Sequence, residues 1–421
     1  MAAEIRRVWH GRFPKRAIGI ALGVLLIGGG WVAFRSFAPR NPHLESLISE
    51  DLGIGCNDDT VRRGELAAAG DEALPFLMAR IRARPDWVER GLQWGPMAEF
   101  QSLLGSWGWE PLARSLSSRA VRTQNARRQA LFSLVLMGPD AATARGELEQ
   151  LGASSAPLRW KVLAAVTAGA PGDPAILSNY LAHLTLEAFR APNAKPVGLS
   201  LESVQTELIR EFPRIWPTHP APLEGLLPLL ESGDAHVRLA AARALIPYGT
   251  AASNAAPRLV QLLSDPDRRI HPSAAHALGV VSPGEHGALA VTMMLAQQRT
   301  NNSWTGDYAH QLYGALGPLA REAVPSLTET LRERPRRHAT GPVAFALWRI
   351  QREASPEIVE ELARGLDTPI QRFQRMSLMA LKEIGPPASD AVPALRRMLS
   401  SRFATLQQEA REALQAIQGG P

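Results

Sequence analysis

Apolar residues in the second half of the chain recur at the spacing of a helix face. From Leu223 onward, an aliphatic residue is followed by small or apolar residues four, seven and eight positions later. The last position of this pattern falls on Leu245, Leu278, Tyr313, Leu347, Leu381 and Leu414, in steps of 33, 35, 34, 34 and 33 residues. The position before it is alanine in every unit but one. Helical spacing at a fixed period of this length predicts a stacked-repeat protein.

A second pattern marks the ends of the predicted helices. Three Ala-x-Pro-x-Leu segments lie 68 residues apart, and each has a glycine eight residues before its proline; these are Pro257, Pro325 and Pro393 with Gly249, Gly317 and Gly385. A glycine that ends one helix and a proline in the first turn of the next predict a helix hairpin. The predicted fold is therefore all-α, with antiparallel helix pairs that bury their apolar faces only by stacking into an α-solenoid.

The segment from Asp234 to Leu245, DAHVRLAAARAL, shows which repeat family this is closest to. It resembles the second half of a HEAT repeat of the short bacterial, phycobilisome-lyase-like kind. The resemblance implies that Asp234 caps the helix and that Arg238 reaches a neighbouring repeat, as one rung of an arginine ladder. His271 and Gln407 replace the arginine in two other units, so the implied ladder is incomplete.

The repeat pattern divides the chain unevenly. It persists in weaker form upstream, with Val61 before Arg62, and we interpret residues 44–185 as degenerate helical repeats with a tryptophan-rich insertion. Six prolines interrupt the spacing in residues 186–222, which predicts a loop or irregular segment. Residues 223–421 are predicted to be the regular repeats, as a second arc of the same solenoid.

The N-terminal segment has the pattern of a membrane anchor. An uncharged stretch from Ala17 to Phe34 would span about 27 Å as a helix, against a hydrocarbon core of roughly 30 Å. Five basic residues precede it and two follow closely. We therefore predict a basic cytoplasmic tail at 1–16, a transmembrane signal anchor at 17–36 and a linker at 37–43.

The same charge pattern predicts the topology of the chain. It places the protein in the cytoplasmic (inner) membrane as a single-pass protein, with the N-terminus inside and the C-terminal body outside the cytoplasm. A cleaved signal peptide stays open as an alternative, because Ser36 and Ala38 are small residues at the two positions that a signal peptidase reads. Proline at position 39 and the length of the apolar stretch favour the retained anchor.

The basic character of the chain is confined to this N-terminal segment. Residues 1–43 hold seven basic residues and one acidic residue, which accounts for the whole net charge of +6. The neutral remainder argues against nucleic-acid binding. Cys56 is the only cysteine, so no intramolecular disulfide is possible. Arginine outnumbers lysine by 42 to 4, which indicates a GC-rich, bacterial genome.

Four tryptophans, Trp87, Trp94, Trp107 and Trp109, lie within 23 residues and are interleaved with glycines. This stretch does not follow the repeat spacing. Exposed tryptophans on glycine-rich loops are suited to stack on a ligand or to anchor a partner protein. Tryptophans are also highly buried on average, so a cap that covers the first repeats is the alternative interpretation.

Histidines do not form a recognisable metal motif. His271 and His276 lie five positions apart, which places them on diverging faces of a helix, and the chain has no His-Glu dipeptide of the kind that iron hydroxylases with HEAT-like repeats use. We expect ordinary surface and loop histidines, including His310, and we assign no metal, cofactor or catalytic residue.

Charged clusters likewise have structural interpretations. Asp59 and the pair Asp265 and Asp267 precede predicted helices and suit N-cap positions, while Glu360 and Glu361 fall on the polar face of a predicted short helix. A basic cluster that includes Arg334, Arg336 and Arg337 follows a predicted helix end and forms a weak candidate anion patch.

Together these observations predict a membrane-anchored, non-enzymatic scaffold that presents a helical-repeat surface to protein partners. The resemblance leaves a second hypothesis open, an enzyme of the lyase or metal-dependent hydroxylase type with an unrecognised site. Nucleic-acid binding is a third hypothesis, which the zero net charge of residues 44–421 disfavours.

Overall fold

The computed structural model describes the helical parts of the chain after the N-terminal segment. The described residues are 44, 59–83, 87–92, 116–117, 122–154, 158–187, 200–217, 223–299, 305–333 and 340–419. All regular secondary structure within them is helical, with no strand, which confirms the all-α prediction for this part of the chain. None of these helices is long and apolar enough to cross a bilayer. The predicted anchor at 17–36 lies outside the described residues.

The chain forms two compact units. Unit 1 consists of residues 1–49 and 75–130, and unit 2 of residues 50–74 and 131–421. The first helices along the chain are α1 (Asp59–Ala69), α2 (Ala73–Arg82), α3 (Trp87–Leu92) and α4 (Arg122–Met137). Within unit 1, the buried Glu89 of α3 accepts hydrogen bonds from the backbone N–H of Thr123 at 2.6 Å and from its hydroxyl at 2.5 Å. This carboxylate therefore joins α3 to the start of α4.

Unit 2 contains α1 and all helices after α4, most of which form pairs. They are α5 (Arg145–Ser154), α6 (Arg159–Gly169), α7 (Pro174–Leu184), α8 (Leu201–Ile215), α9 (Ala235–Leu245), α10 (Ala256–Leu262), α11 (His271–Val281), α12 (Pro283–Arg299), α13 (Thr305–Leu316), α14 (Val324–Glu333), α15 (Thr340–Gln351), α16 (Pro356–Gly365), α17 (Gln371–Ile384), α18 (Val392–Met398) and α19 (Ala404–Gln418). Short 3₁₀ segments at Ile246–Ala255, Gly317–Ala323 and Pro386–Ala391 connect successive pairs.

The regular part of unit 2 is built from two rows of helices. We call α9, α11, α13, α15, α17 and α19 the B row, in which each helix packs against the next. We call α10, α12, α14, α16 and α18 the A row, in which each helix packs against the B-row helix that follows it. The positions that carry the sequence repeat, from Leu245 to Leu414, all lie on B-row helices and are buried. The predicted stack of helix pairs is thus confirmed over these residues.

The predicted helix-end signals are also confirmed. Gly249, Gly317 and Gly385 have φ values of 54°, 56° and 68°, a conformation that glycine adopts without the steric cost of a Cβ atom. Each follows a B-row helix, and Gly385 is the C-cap residue of α17. The three repeated prolines fall in the first turns of α10, α14 and α18, where no backbone N–H is needed.

The prediction of irregular structure over residues 186–222 is wrong for residues 201–215, which form α8. Ser200 caps this helix by accepting a hydrogen bond from the backbone N–H of Ser203 at 3.2 Å. Its apolar side chains, including Leu208 and Phe212, have helical spacing and are buried. Pro213 lies inside this helix, in its last turn. Because prolines are frequent in this segment, the helical spacing of its apolar residues was not recognised in the sequence.

Candidate functional site

The residues singled out as candidate binding sites fall outside the part that the structure describes. The backbone of Trp87 begins α3, but its side chain is not among the described ones. The others outside the described residues are Trp94, Trp107, Trp109, Arg334, Arg336 and Arg337. The tryptophan-rich stretch and the anion patch therefore stay predictions. The described residues instead define the contacts between repeats and the exposed faces of the helix rows.

The first rung of the ladder has the geometry that the resemblance implied. Asp234 caps α9 by accepting hydrogen bonds from the N–H groups of His236 and Val237, at 2.8 and 3.1 Å. Arg238 donates from Nε and Nη2 to the two carboxylate oxygens of Asp265, at 2.8 and 2.9 Å. The hydrogen bond from Arg238 lowers the pKa of Asp265, so the carboxylate stays ionised. Both residues perform the roles predicted for them.

Further rungs use residues that the sequence reading missed. Arg349 of α15 donates from Nη1 to both carboxylate oxygens of Glu383 on α17, at 3.0 and 3.1 Å. Arg375 of α17 donates from Nε to Glu409 on α19 at 2.9 Å. Each pair is separated by 34 residues, one repeat length, and that spacing of opposite charges was the signal in the sequence.

The contacts of Glu383 with two arginines lower the pKa of its carboxyl group. Burial alone would raise its pKa, but hydrogen bonds from Arg352 and Arg349 together with their positive charges lower it below the usual value. Arg349 also donates from Nε to the carbonyl oxygen of Gly314 on α13, at 3.3 Å. One guanidinium therefore connects three successive helices of the B row, which holds their spacing fixed.

The histidines differ from the sequence expectation. His276 on α11 and His310 on α13 are buried, so the prediction of surface and loop positions is wrong for these two residues. Burial, with a contribution from the positive charge of Arg372, lowers the pKa of His276 to about 4, so its ring is neutral at pH 7. His271 donates from Nε2 to the carbonyl oxygen of Asp265 at 2.8 Å. No three potential ligand side chains in the described parts of the chain are placed to share a metal ion.

The carboxylate clusters are only partly as predicted. Ser355 caps α16, and Glu360 is exposed on it as expected, but Glu361 is buried and pairs with Arg364. Asp265 and Asp267 do not cap α11, whose N-cap residue, Ile270, makes no side-chain hydrogen bond. Asp265 accepts instead from Arg238 and from the backbone N–H of Asp267, the latter at 2.8 Å.

The two rows differ in how much surface they expose. In α11, every residue from Pro272 to Gly279 is buried, and α15 has a single exposed residue after its first position, Gln351. The A-row helices each expose one face, with charges of both signs such as Glu285, Glu357 and Arg396. Large apolar side chains exposed in the described residues are Leu289, Leu319 and Met379, which lie on separate elements. The A-row helices thus present polar, mixed-charge faces, and α11 and α15 of the B row present almost none.

Comparison with known proteins identifies the repeat. Residues 223–303 match the family model described as HEAT repeats. These residues carry HEAT repeats. The matched HEAT repeats contain α9, α10, α11 and α12, including Arg238 and Asp265. The crystal structure of an engineered protein is similar to the chain at 17% identity and a TM-score of 0.34, over 87% of this chain and 100% of that chain. No curated protein matches the chain.

Proposed function

We propose that this protein is a membrane-anchored scaffold that binds protein partners on the exposed face of its A row and carries out no chemistry of its own. The observation that carries the proposal is the difference between the rows. The B-row helices α11 and α15 are buried along nearly their whole length, whereas each A-row helix has an exposed polar face. Extended surfaces of stacked repeats are suited to bind other proteins, because successive units place side chains at regular intervals.

The charge distribution supports a protein partner over a polyanion. Exposed Glu285, Glu329 and Glu357 share the A row with exposed arginines such as Arg364 and Arg396. A surface of this kind does not attract nucleic acid over long range, because opposite charges cancel within a Debye length of about 8 Å at physiological salt. It favours a partner with complementary charges and a polar interface.

The inter-repeat ion pairs support the same proposal. Arg238 with Asp265 and Arg349 with Glu383 fix the spacing of neighbouring repeats. A surface whose elements are fixed in advance loses less conformational freedom when a partner binds, so more of the contact energy appears as affinity. The ladder would thus position the exposed A-row faces, and it would not itself bind the partner.

Photo-crosslinking in the native membrane tests the proposed surface. A photoreactive residue placed at Glu285, Glu329 or Glu357 of the A row is expected to capture the same protein in each case. The control is the same residue at Arg243 or Lys382, exposed positions of the B row, where no capture is expected. Capture from the B-row positions alone would contradict the proposed surface. Loss of capture after charge reversal at Glu357→Lys would further locate the contact.

The membrane anchor rests on the apolar stretch from Ala17 to Phe34 and on the basic residues before it. A reporter enzyme that works only outside the cytoplasm is expected to be active when fused after Pro421. Sequencing of the mature N-terminus is expected to begin near Met1. Activity of a cytoplasm-only reporter would overturn the orientation, and a mature N-terminus at Pro39 would overturn the anchor.

A further inference from the structure

Helix α1 contacts two helices of unit 2 that are remote from it in sequence. Asp59 accepts a hydrogen bond from Nε of Arg214, at the end of α8, at 2.8 Å. Arg63 donates from Nη2 to the carbonyl oxygen of Arg214 at 3.2 Å. Glu65 accepts from the backbone N–H of Thr405, at the start of α19, at 2.9 Å across a separation of 340 residues. One helix is therefore bound both to α8 and to the last helix of the B row.

The contact with α1 supplies a hydrogen-bond acceptor at the N-terminus of α19. Its N-cap residue, Phe403, makes no side-chain hydrogen bond, and its first turn contains no acidic residue. A carboxylate at a helix N-terminus accepts an otherwise unpaired N–H and interacts favourably with the helix dipole. The carboxylate of Glu65, only 1% exposed, lies in this position. Helix α1 thus provides the N-terminal cap for α19.

The fit between α1 and α19 depends on a glycine. A Cβ atom built on Gly64 would overlap the Oγ1 atom of Thr405 and lie 3.4 Å from its Cβ atom. Any side chain at position 64 must therefore displace Thr405 or push the two helices apart. The glycine costs helix stability in α1, which its close approach to α19 explains.

Helix α1 also makes cation–π and apolar contacts, in part through Phe132 of α4. The guanidinium groups of Arg62 and Arg214 both lie over the ring of Phe132, at 5.2 and 4.7 Å from its centroid. Val61 and Leu66 of α1 are buried. Cation–π contacts and buried apolar side chains hold α1 in place along its length, beyond the hydrogen bonds at its two ends.

We infer that α1 is a clasp that holds α8 and α19 at a fixed separation. Helices of the B row contact their neighbours in the row, so small changes at each contact add up along the row. A helix bound both to α8, which packs against the first B-row helix α9, and to the last B-row helix α19 prevents that accumulation. When α1 detaches, the distance between α8 and α19 becomes variable and the N-terminal turn of α19 loses its cap.

Distance measurements on the full chain test the clasp. Spin labels at Arg210→Cys on α8 and Gln408→Cys on α19, in a Cys56→Ser background, are expected to give a narrow distance distribution. Adding Gly64→Ala is expected to broaden and shift it. Adding Thr405→Ala as well removes the side chain that the new methyl group meets, so the narrow distribution should return. An unchanged distribution in the Gly64→Ala variant, together with failure of positions 64 and 405 to crosslink as cysteines, would overturn the inference.

A disulfide provides a second test that does not depend on a destabilising variant. A Cβ atom at position 64 would lie 3.4 Å from the Cβ atom of Thr405, close to the roughly 3.5–4.5 Å found in disulfides. Gly64→Cys with Thr405→Cys should form a crosslink on mild oxidation. Ala67→Cys with Thr405→Cys is the control, since Ala67 is exposed on α1, and it should not crosslink.

Hydrogen exchange measures how the crosslink affects the start of α19. Amides of residues 404–408 are expected to exchange about tenfold more slowly in the oxidised Gly64→Cys, Thr405→Cys protein than in its reduced form, the size expected for a capping contact. Amides of α11 should exchange equally in both forms. Failure to crosslink, or equal exchange of residues 404–408 in the two forms, would show that α1 is not a clasp.

Discussion

Arg349 and Glu383, one repeat length apart, form a forked ion pair in which Nη1 of the arginine donates to both carboxylate oxygens at 3.0 and 3.1 Å. The side chains are 28% and 35% exposed, so this pair is more shielded from water than Lys382 with Glu412, at 52% and 38%. Shielding from water determines how much an ion pair contributes to stability, because solvent screens exposed charges. The two pairs therefore form a natural comparison.

A double-mutant cycle on each pair is the first prediction. Arg349→Ala and Glu383→Ala should show a coupling free energy of about 1 kcal/mol in denaturant unfolding, against a few tenths for Lys382→Ala and Glu412→Ala. Arg352, which also donates to Glu383 at 2.9 Å, keeps part of the carboxylate's stabilisation after Arg349 is removed. Equal coupling in the two cycles would mean that the ladder does not strengthen the contact between repeats.

The second prediction concerns the effect of His276 protonation on the stability of the fold. Its pKa is about 4 in the folded protein, below the value near 6.5 expected in the unfolded chain. Above pH 6.5 the ring is neutral in both states, and its contribution to stability is complete. Between pH 6.5 and 4 the unfolded chain binds a proton that the folded protein excludes, so stability should fall with pH by up to about 3 kcal/mol.

Denaturant unfolding across this pH range checks the effect. The variant His276→Gln should lose a pH dependence of this size between 6.5 and 4, whereas His236→Gln, at an exposed position of α9, should keep it. The charged group that faces His276 is Arg372, which adds to the cost of protonation. An equally steep pH dependence in the His276→Gln variant would show that another group is responsible.

The third prediction concerns the stability contribution of the B-row core. Leu381 on α17 is fully buried, so Leu381→Ala should lower the free energy of unfolding by roughly 2–5 kcal/mol, through lost apolar contact and the cavity left behind. Met379, two residues earlier on the same helix, is 45% exposed, and Met379→Ala should change stability by less than about 0.5 kcal/mol. Similar losses in the two variants would contradict the assignment of Leu381 to the core.

The tryptophan-rich stretch gives a fourth prediction with two distinct outcomes. If these tryptophans bind a partner, Trp94→Ala and Trp107→Ala should abolish capture and leave the melting temperature unchanged. If they cap the first repeats, both variants should be destabilised by about 3–5 kcal/mol, as expected for a buried tryptophan. Trp160→Ala is the reference for that second outcome, because Trp160 is buried in α6. Melting curves beside crosslinking yields separate the two.

Much of the repeat architecture was predictable because its determinants are local. Gly385 ends α17 and Pro393 opens α18 through backbone conformation alone, and neither effect requires knowledge of distant residues. Asp234 and Arg238 were predictable for a related reason, since their partners lie in the same repeat or the next one. Helix α8 was not predicted, although its apolar spacing is regular, because the prolines of residues 186–222 indicated an irregular segment.

By itself the sequence determined the helix pair and its period, because short-range spacing decides which faces of a helix are apolar and where the helix ends. Only the tertiary structure decided that Glu65 caps α19 and that His276 is buried beside Arg372. Glu65 and Thr405 are 340 residues apart, and no periodic pattern relates their positions. The pKa of His276 likewise reflects the charge of Arg372 on α17, three B-row helices further along the chain, so it follows from how the repeats pack together and not from the local sequence.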